Sequence, residues 1–276
     1  MIIWISSYPK SGNTWVRALI ASYLYSNDGT FNFKDLNNIE QFPSHKYLNF
    51  YLKDFGNPGA TAKYWLKAQK KINSKNVIKF FKTHNALCRI DGHSFTDKSN
   101  TLAAIYVVRD PRNVINSLSN HYGISVKEAY EFLTNKRKII FTKNSSNYDS
   151  PNTDREKGNV HFVGSWNEHY ISWKNIGFAP TIIVRYEDLT ENTYDAFLSI
   201  LQFLRNHIPL EIDKNKINKT IANCSFDVLK KKEQKEGFYE APTLKKNNKK
   251  IIFFNLGKKN NWKKSLNLAL AKEIEI

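Results

Sequence analysis

Four short apolar runs constrain what this chain can fold into more than any other feature. They are Ile2 to Ser6, Val77 to Lys82, Ala103 to Val108 and Thr181 to Arg185. They are rich in β-branched and aromatic residues and do not alternate with polar ones. Such runs read as strands buried on both faces, the mark of a parallel sheet. Stretches with helical spacing lie between them, at Thr14 to Tyr25, Arg112 to His121 and Tyr194 to Leu204. Strands alternating with helices predict an α/β fold with a central parallel β-sheet flanked by helices. Ligands of such sheets sit beyond the carboxyl ends of the strands, so the residues just after each run are where chemistry is expected.

No internal repeat and no break in composition divides the 276 residues, which predicts a single domain over 1–276. At 41% hydrophobic and 14% aromatic residues the chain has enough apolar material for a sizeable core, which excludes a disordered protein. The net charge of +17 predicts attraction to polyanions or phosphorylated small molecules. Much of the excess is lysine mixed with Asn and Ile, as in Lys245 to Lys250, and reads as solvated surface. Cys88 and Cys224 are too few for a disulfide framework and fit a reducing compartment. The N-terminal run lacks the features of a signal peptide, and no window approaches a membrane span, so the expected location is the cytoplasm. Two polar stretches without period, Lys143 to Asn159 and Lys230 to Lys250, are expected to be irregular, and 143–159 is the length of a lid or flexible loop.

The first run opens onto Tyr8-Pro9-Lys10-Ser11-Gly12-Asn13-Thr14-Trp15 and then a helix. A strand, a tight loop with Lys, Ser and Gly, and a helix start form a phosphate cradle, in which backbone N–H groups and the positive helix end face the anion. It is not a Walker A loop, because the lysine precedes the glycine. The second run ends at Phe81-Lys82-Thr83-His84. Lys82 and His84, two apart at a strand end, face the same side, and histidine is the natural general base at neutral pH. The third run leads to Arg109-Asp110-Pro111-Arg112. Asp110 and Pro111 mark a helix N-cap and first position, which leaves Arg109 at the strand end with Ser117 two turns into the helix. An arginine fork beside a hydroxyl makes a second phosphate site, unless Arg109 pairs with Asp110 or Glu187 instead. Two phosphate-type sites on one sheet point to a nucleotide phosphorylated at both ends. The seven histidines show no paired ligand spacing with Cys or acidic residues, so no metal is expected. His121, one turn after Ser117, reads as structural.

These segments resemble, in order, the motifs of the PAPS-dependent sulfotransferases of the cytosolic type, where PAPS is 3′-phosphoadenosine 5′-phosphosulfate and PAP its desulfated product. Further matches are Gly164 to His169, Arg185-Tyr186-Glu187-Asp188-Leu189, Ser225-Phe226, and Gly257 with Trp262-Lys263. The resemblance implies a P-loop-like fold and an enzyme with PAPS as donor and PAP as product. It implies that Lys10 neutralises the bridging oxygen of the leaving group while Ser11, Gly12, Asn13 and Thr14 bind the 5′-phosphate. Trp15 and Phe226 would sandwich the adenine, with Tyr186 at its edge and Ser225 beside Phe226. Arg109 and Ser117 would hold the 3′-phosphate, and the serine would restrain the loop lysine until acceptor binds. His84 would take the acceptor's proton and Lys82 would stabilise the sulfuryl oxygens.

The chain departs from the pattern in the last motif, where Asn255 and Leu256 replace the arginine and lysine expected to grip the 3′-phosphate. Gly257 keeps a backbone N–H there, and Lys258 or Lys259 is a candidate substitute. The expected partner is a small-molecule acceptor carrying a hydroxyl or amine, a glycan or lipid included, with no nucleic acid and no membrane insertion, in a monomer or homodimer. Aromatics in the variable stretches, among them Phe42, Tyr47, Phe55, Tyr148 and Phe238, are candidates for the acceptor pocket or for core packing. A P-loop-type phosphotransferase would need a Walker A lysine and Mg²⁺. A polyanion-binding module would need clustered basic and aromatic platforms rather than a Lys/His pair at strand ends.

Overall fold

The computed structural model describes residues 1–53, 58–143, 149–150, 158–243 and 250–274, and it sets the four apolar runs side by side in one five-stranded sheet. In chain order the elements used below are β1 (Ile2–Ser7), α1 (Asn13–Tyr25), β2 (Glu40–Gln41), β3 (Lys79–Thr83), β4 (Thr101–Val108), α2 (Pro111–Tyr122), β5 (Thr181–Arg185), α3 (Thr193–Arg205) and α4 (Phe226–Glu236). The sheet order is β5-β4-β1-β3-β2, and every pairing is parallel. Successive strands are laid down on opposite sides of β1, so the order reverses there and opens a crevice at the carboxyl ends.

All six residues of β1 are buried because the sheet is covered on both faces. Ile3 and Ile5 pack with Val16, Leu19 and Ile20 of α1 and Leu201 of α3. Ile2 and Trp4 face the other way, onto Phe81, Phe95, Tyr106 and Trp173. A third cluster gathers Tyr8, Val114, Leu118 and Phe132 beside α2. Phe42 and Tyr47 meet Phe81 edge to face, and Phe238 lies in the core with Phe33 and Phe254, so Phe42 and Phe238 pack the interior and half-buried Tyr47 packs against it. Phe55 and Tyr148 lie outside the described residues.

Boundaries differ from the sequence reading in three places. The second strand begins at Lys79, because Val77 and Ile78 precede the sheet edge and are 54% and 38% exposed. The first third of the Lys230 to Lys250 stretch is not irregular: α4 runs to Glu236, and 244–249 lie outside the described residues. Its lysines and glutamates are good helix formers, and Lys232 pairs with Glu236 one turn on at 3.5 Å. Buried Glu233 also accepts hydrogen bonds from Phe253 N (2.6 Å) and Phe254 N (2.8 Å), tying the helix to the chain's last segment. At the expected lid, Ile139–Lys143 and Gly158–Phe162 pair antiparallel, and most of 143–159 lies outside the described residues. No helix among the described residues is long and apolar enough to cross a membrane.

Candidate active site

Four strand ends converge on one cavity. The turn after β1 brings Lys10, Gly12, Asn13, Thr14 and Trp15; β3 brings Lys82 and His84; β4 brings Arg109; and the end of β5 brings Tyr186. Helix α2 adds Asn116, Ser117, Asn120 and His121, and the distal segments add Phe226, Glu240, Phe253 to Gly257, and Asn260.

The turn is built for close approach of backbone to a ligand. Lys10 has φ 67° and Gly12 φ 106°, both in the left-handed region. A Cβ on Gly12 would lie 2.5 Å from Tyr186 Cδ2, so only glycine fits between the turn and that ring. Gly12 is the N-cap of α1, whose first N–H groups lack helical partners, and Gly12, Asn13 and Thr14 border the cavity at this helix start, where an anion is favoured. The Asn13 side chain is committed to the fold, donating to Ile5 O at 3.0 Å. Ser11 Oγ is fully buried and meets no hydrogen-bond partner among the described residues, and so does Arg109 Nε. Of the two, Arg109 lines the cavity, and an unmatched buried donor there fits an anionic group that is held when bound.

His84 Nδ1 lies 2.8 Å from Ser7 O and 3.3 Å from Ser7 Oγ. A carbonyl only accepts, so Nδ1 carries the proton in this contact and Nε2 is the basic nitrogen. The His84 carbonyl in turn accepts from His169 Nε2 at 3.3 Å, and Tyr106 Oη donates to His169 Nδ1 at 2.9 Å. With Nε2 donating, Nδ1 can accept from Tyr106 only on a neutral ring. Burial, reinforced by His84, pushes His169 down to about 3. The unfolded chain therefore takes up a proton below about pH 6.5 that the folded chain refuses. Stability is fully present above that pH and falls as pH drops towards 3, by about 1.4 kcal/mol per pH unit from this group. Urea midpoints for wild type and His169→Gln should diverge less at pH 5.5 than at pH 7.5, because the variant lacks that acid-side loss.

Arg109 takes neither acidic partner. Its Nη1 donates to Ser117 Oγ at 3.1 Å and to Lys10 O at 3.4 Å, and its guanidinium lies 4.0 Å from the centre of the Tyr186 ring. Asp110 instead caps α2 and pairs with Arg112 at 2.8 Å, while Glu187 accepts from Asp110 N at 3.0 Å. Burial pulls the Arg109 guanidinium below the ordinary arginine value, opposed by Tyr186, Glu187 and Asp110. A second anion would relieve that desolvation.

His121, read from sequence as structural, lines the cavity instead. Its Nδ1 lies 3.1 Å from Lys10 Nζ, which also sits 3.8 Å over the Phe253 ring. Ser117 holds Arg109 and accepts from Asn260 Nδ2 at 3.0 Å, so the contact expected of the serine with Lys10 is made by the histidine one turn on. Three other expected residues stand apart from the lining: the Ser11 side chain is buried beneath the turn, Ser225 precedes α4 as its N-cap, and Lys258 is exposed in a 3-10 turn at Gly257–Lys259. Asn255, Leu256 and Gly257 do line it. Gly257 has φ 52°, and a Cβ there would fall 2.7 Å from Phe226, so the backbone meets that ring closely. Trp15 and Tyr186 meet edge to face at 5.7 Å, with Trp15 Nε1 donating to Cys224 O at 2.8 Å, which fixes an aromatic wall beside Phe226.

The residue that sequence reasoning missed is Glu240. It is buried, lines the cavity, accepts from Arg17 Nη1 at 2.7 Å and from Thr14 Oγ1 at 3.0 Å, and lies 3.8 Å from Lys82 Nζ. Nothing local in Phe238-Tyr239-Glu240 marks it, since its partners are more than 150 positions away. Among the described residues no group of three His, Cys, Asp or Glu side chains is arranged to hold a metal ion.

The sulfotransferase domain family profile matches residues 2–275. Sulfotransferase 1 family member D1 of Mus musculus is 27% identical over 83% of the chain and 65% of its own length. Sulfotransferase 1E1 of Bos taurus is 25% identical over 99% of the chain and 80% of its own length. In fold, the chain is similar to mouse sulfotransferase SULT7A1 complexed with PAP, at a TM-score of 0.54 and 15% identity, covering 99% of this chain and 80% of that one. It is also similar to retinol dehydratase in complex with androsterone and PAP, at 0.57 and 14%, covering 99% and 78%. With the family profile spanning nearly its whole length, the chain belongs to the sulfotransferase domain family.

Proposed function

We propose that this protein transfers a sulfuryl group from PAPS to a hydroxyl or amine of a small-molecule acceptor, with His84 as general base. The observation that carries the reading is the convergence of Lys10, Lys82, His84 and Arg109 on one cavity at the carboxyl ends of β1, β3 and β4. Like phosphoryl transfer, the reaction needs in-line placement and cations around developing negative charge. The acceptor oxygen or nitrogen forms a bond to sulfur as the bond from sulfur to the bridging oxygen breaks. The acceptor's proton passes to His84 Nε2, and the charge left on the 5′-phosphate is met by Lys10. Lys82 faces the sulfuryl oxygens.

The N–H groups of the turn from Ser11 to Thr14 hold the 5′-phosphate, and Arg109 with Ser117 holds the 3′-phosphate. Trp15, Phe226 and Tyr186 take the adenine. PAP titrated against the wild type, and ³⁵S-labelled PAPS offered with pooled phenols, sugars, lipids and amines, test the reading. PAP binding with label on an acceptor is the expected result. A protein that neither binds PAP nor moves label overturns it.

A further inference from the structure

We propose that Glu240 is a positioning residue of the transfer site, one that holds Lys82 in place and accepts the hydrogen bond of the Thr14 hydroxyl. This inference rests on the functional reading above. A carboxylate in a cavity for a polyanion opposes the ligand, so its presence there needs a reason. Neutralising buried Arg17 accounts for only one of its oxygens, Oε1, at 2.7 Å. The other, Oε2, is aimed at the working residues: Thr14 Oγ1 at 3.0 Å and Lys82 Nζ at 3.8 Å. A carboxylate only accepts, so Thr14 donates to it, and its single hydroxyl proton is withdrawn from the donor's phosphate. Thr14 then serves the anion through its backbone N–H.

Lys82 has a long, flexible stem, and an ammonium aimed at developing charge loses its value when free to wander. Glu240 supplies the fixed opposite charge from a segment whose neighbours Phe238 and Ala241 are core residues. The carboxylate also tempers the positive field on the nucleotide, which speeds release of product.

Glu240→Gln removes one negative charge from the cavity while keeping the side chain's shape. PAP, followed by calorimetry, should bind about tenfold more tightly, the change expected from one charge at an intermediate dielectric. The single-turnover rate of transfer should fall about tenfold. A residue with a merely structural role would lose affinity and rate together, and that pattern overturns the proposal, as does unchanged PAP binding.

Because the single variant leaves buried Arg17 without its carboxylate, Arg17→Met with Glu240→Leu is the second test; replacing both members of a buried pair with apolar residues is often neutral for folding. The net charge of the site is unchanged, so PAP affinity should stay within about twofold. The single-turnover rate should still be slow, because Lys82 has lost its anchor. A wild-type rate in this double variant shows that Glu240 only neutralises Arg17, and overturns the proposal. Failure of the wild type itself to bind PAP or transfer label refutes the functional reading instead.

Discussion

His84→Asn is expected to lower kcat for sulfuryl transfer by about 10²- to 10⁴-fold, the range spanned by a positioned general base. Asparagine is the informative substitution because its side-chain amide N–H can still reach Ser7 O, as Nδ1 does at 2.8 Å. What it lacks is a basic nitrogen where Nε2 stands. The contact that places the residue survives, and only the proton acceptor is removed. His84→Ala removes both, and because the side chain is buried it should also lower the melting temperature. On the proposed mechanism PAP affinity in His84→Asn stays near the wild-type value, since the donor is held by the turn and by Arg109. A steady-state assay with labelled PAPS, paired with PAP titration, reads both quantities. Transfer at more than a tenth of the wild-type rate in His84→Asn would remove His84 from the base role.

How much of this was legible in the sequence depends on the range of the interactions. β1 and β4 were readable because central parallel strands are apolar on both faces, and the burial of Ile2 to Ser7 is the cause of that pattern. The start of α2 was readable because Asp110 and Pro111 are local signals, and the Asp110 side chain does accept from Arg112 N. The turn from Tyr8 to Gly12 was readable for the same reason. α4 was hidden because a run of lysines and glutamates looks alike on a helix and in a loop. What it packs against, Phe253 and Phe254, lies about 20 residues further on.

Glu240 could not have been found, since the need for a carboxylate arises only when Arg17, Thr14 and Lys82 meet in space. His121 was half legible: its spacing from Ser117 put both on one helical face, but its role turns on where Lys10 crosses that face. Ser225 came from motif position alone and Lys258 from its nearness to the replaced motif residues, and neither says whether a side chain turns inward.

Arg109→Leu is expected to weaken PAP binding by at least about 30-fold, corresponding to the 2 kcal/mol lower bound for truncating one member of a buried, charge-assisted contact. The sharper expectation concerns selectivity. The sequence departs from the family pattern at Asn255 and Leu256, and neither supplies a cation: Asn255 O is occupied by Lys230 Nζ at 2.9 Å, and Leu256 is an exposed apolar residue at the cavity rim. Lys258 and Lys259 sit in an exposed turn outside the lining. On the proposed mechanism the discrimination between PAP and adenosine 5′-phosphate rests on Arg109, with Ser117 and the Gly257 N–H adding only neutral hydrogen bonds.

Wild type should therefore prefer PAP over adenosine 5′-phosphate, and Arg109→Leu should bind the two nearly equally. Charge restored at the rim by Leu256→Lys should widen the wild-type preference and recover part of it in the Arg109→Leu background, because a second cation acts on the same phosphate through space. Calorimetric titration of both nucleotides against the four proteins measures this directly. A preference for PAP that survives intact in Arg109→Leu would place the 3′-phosphate elsewhere in the cavity.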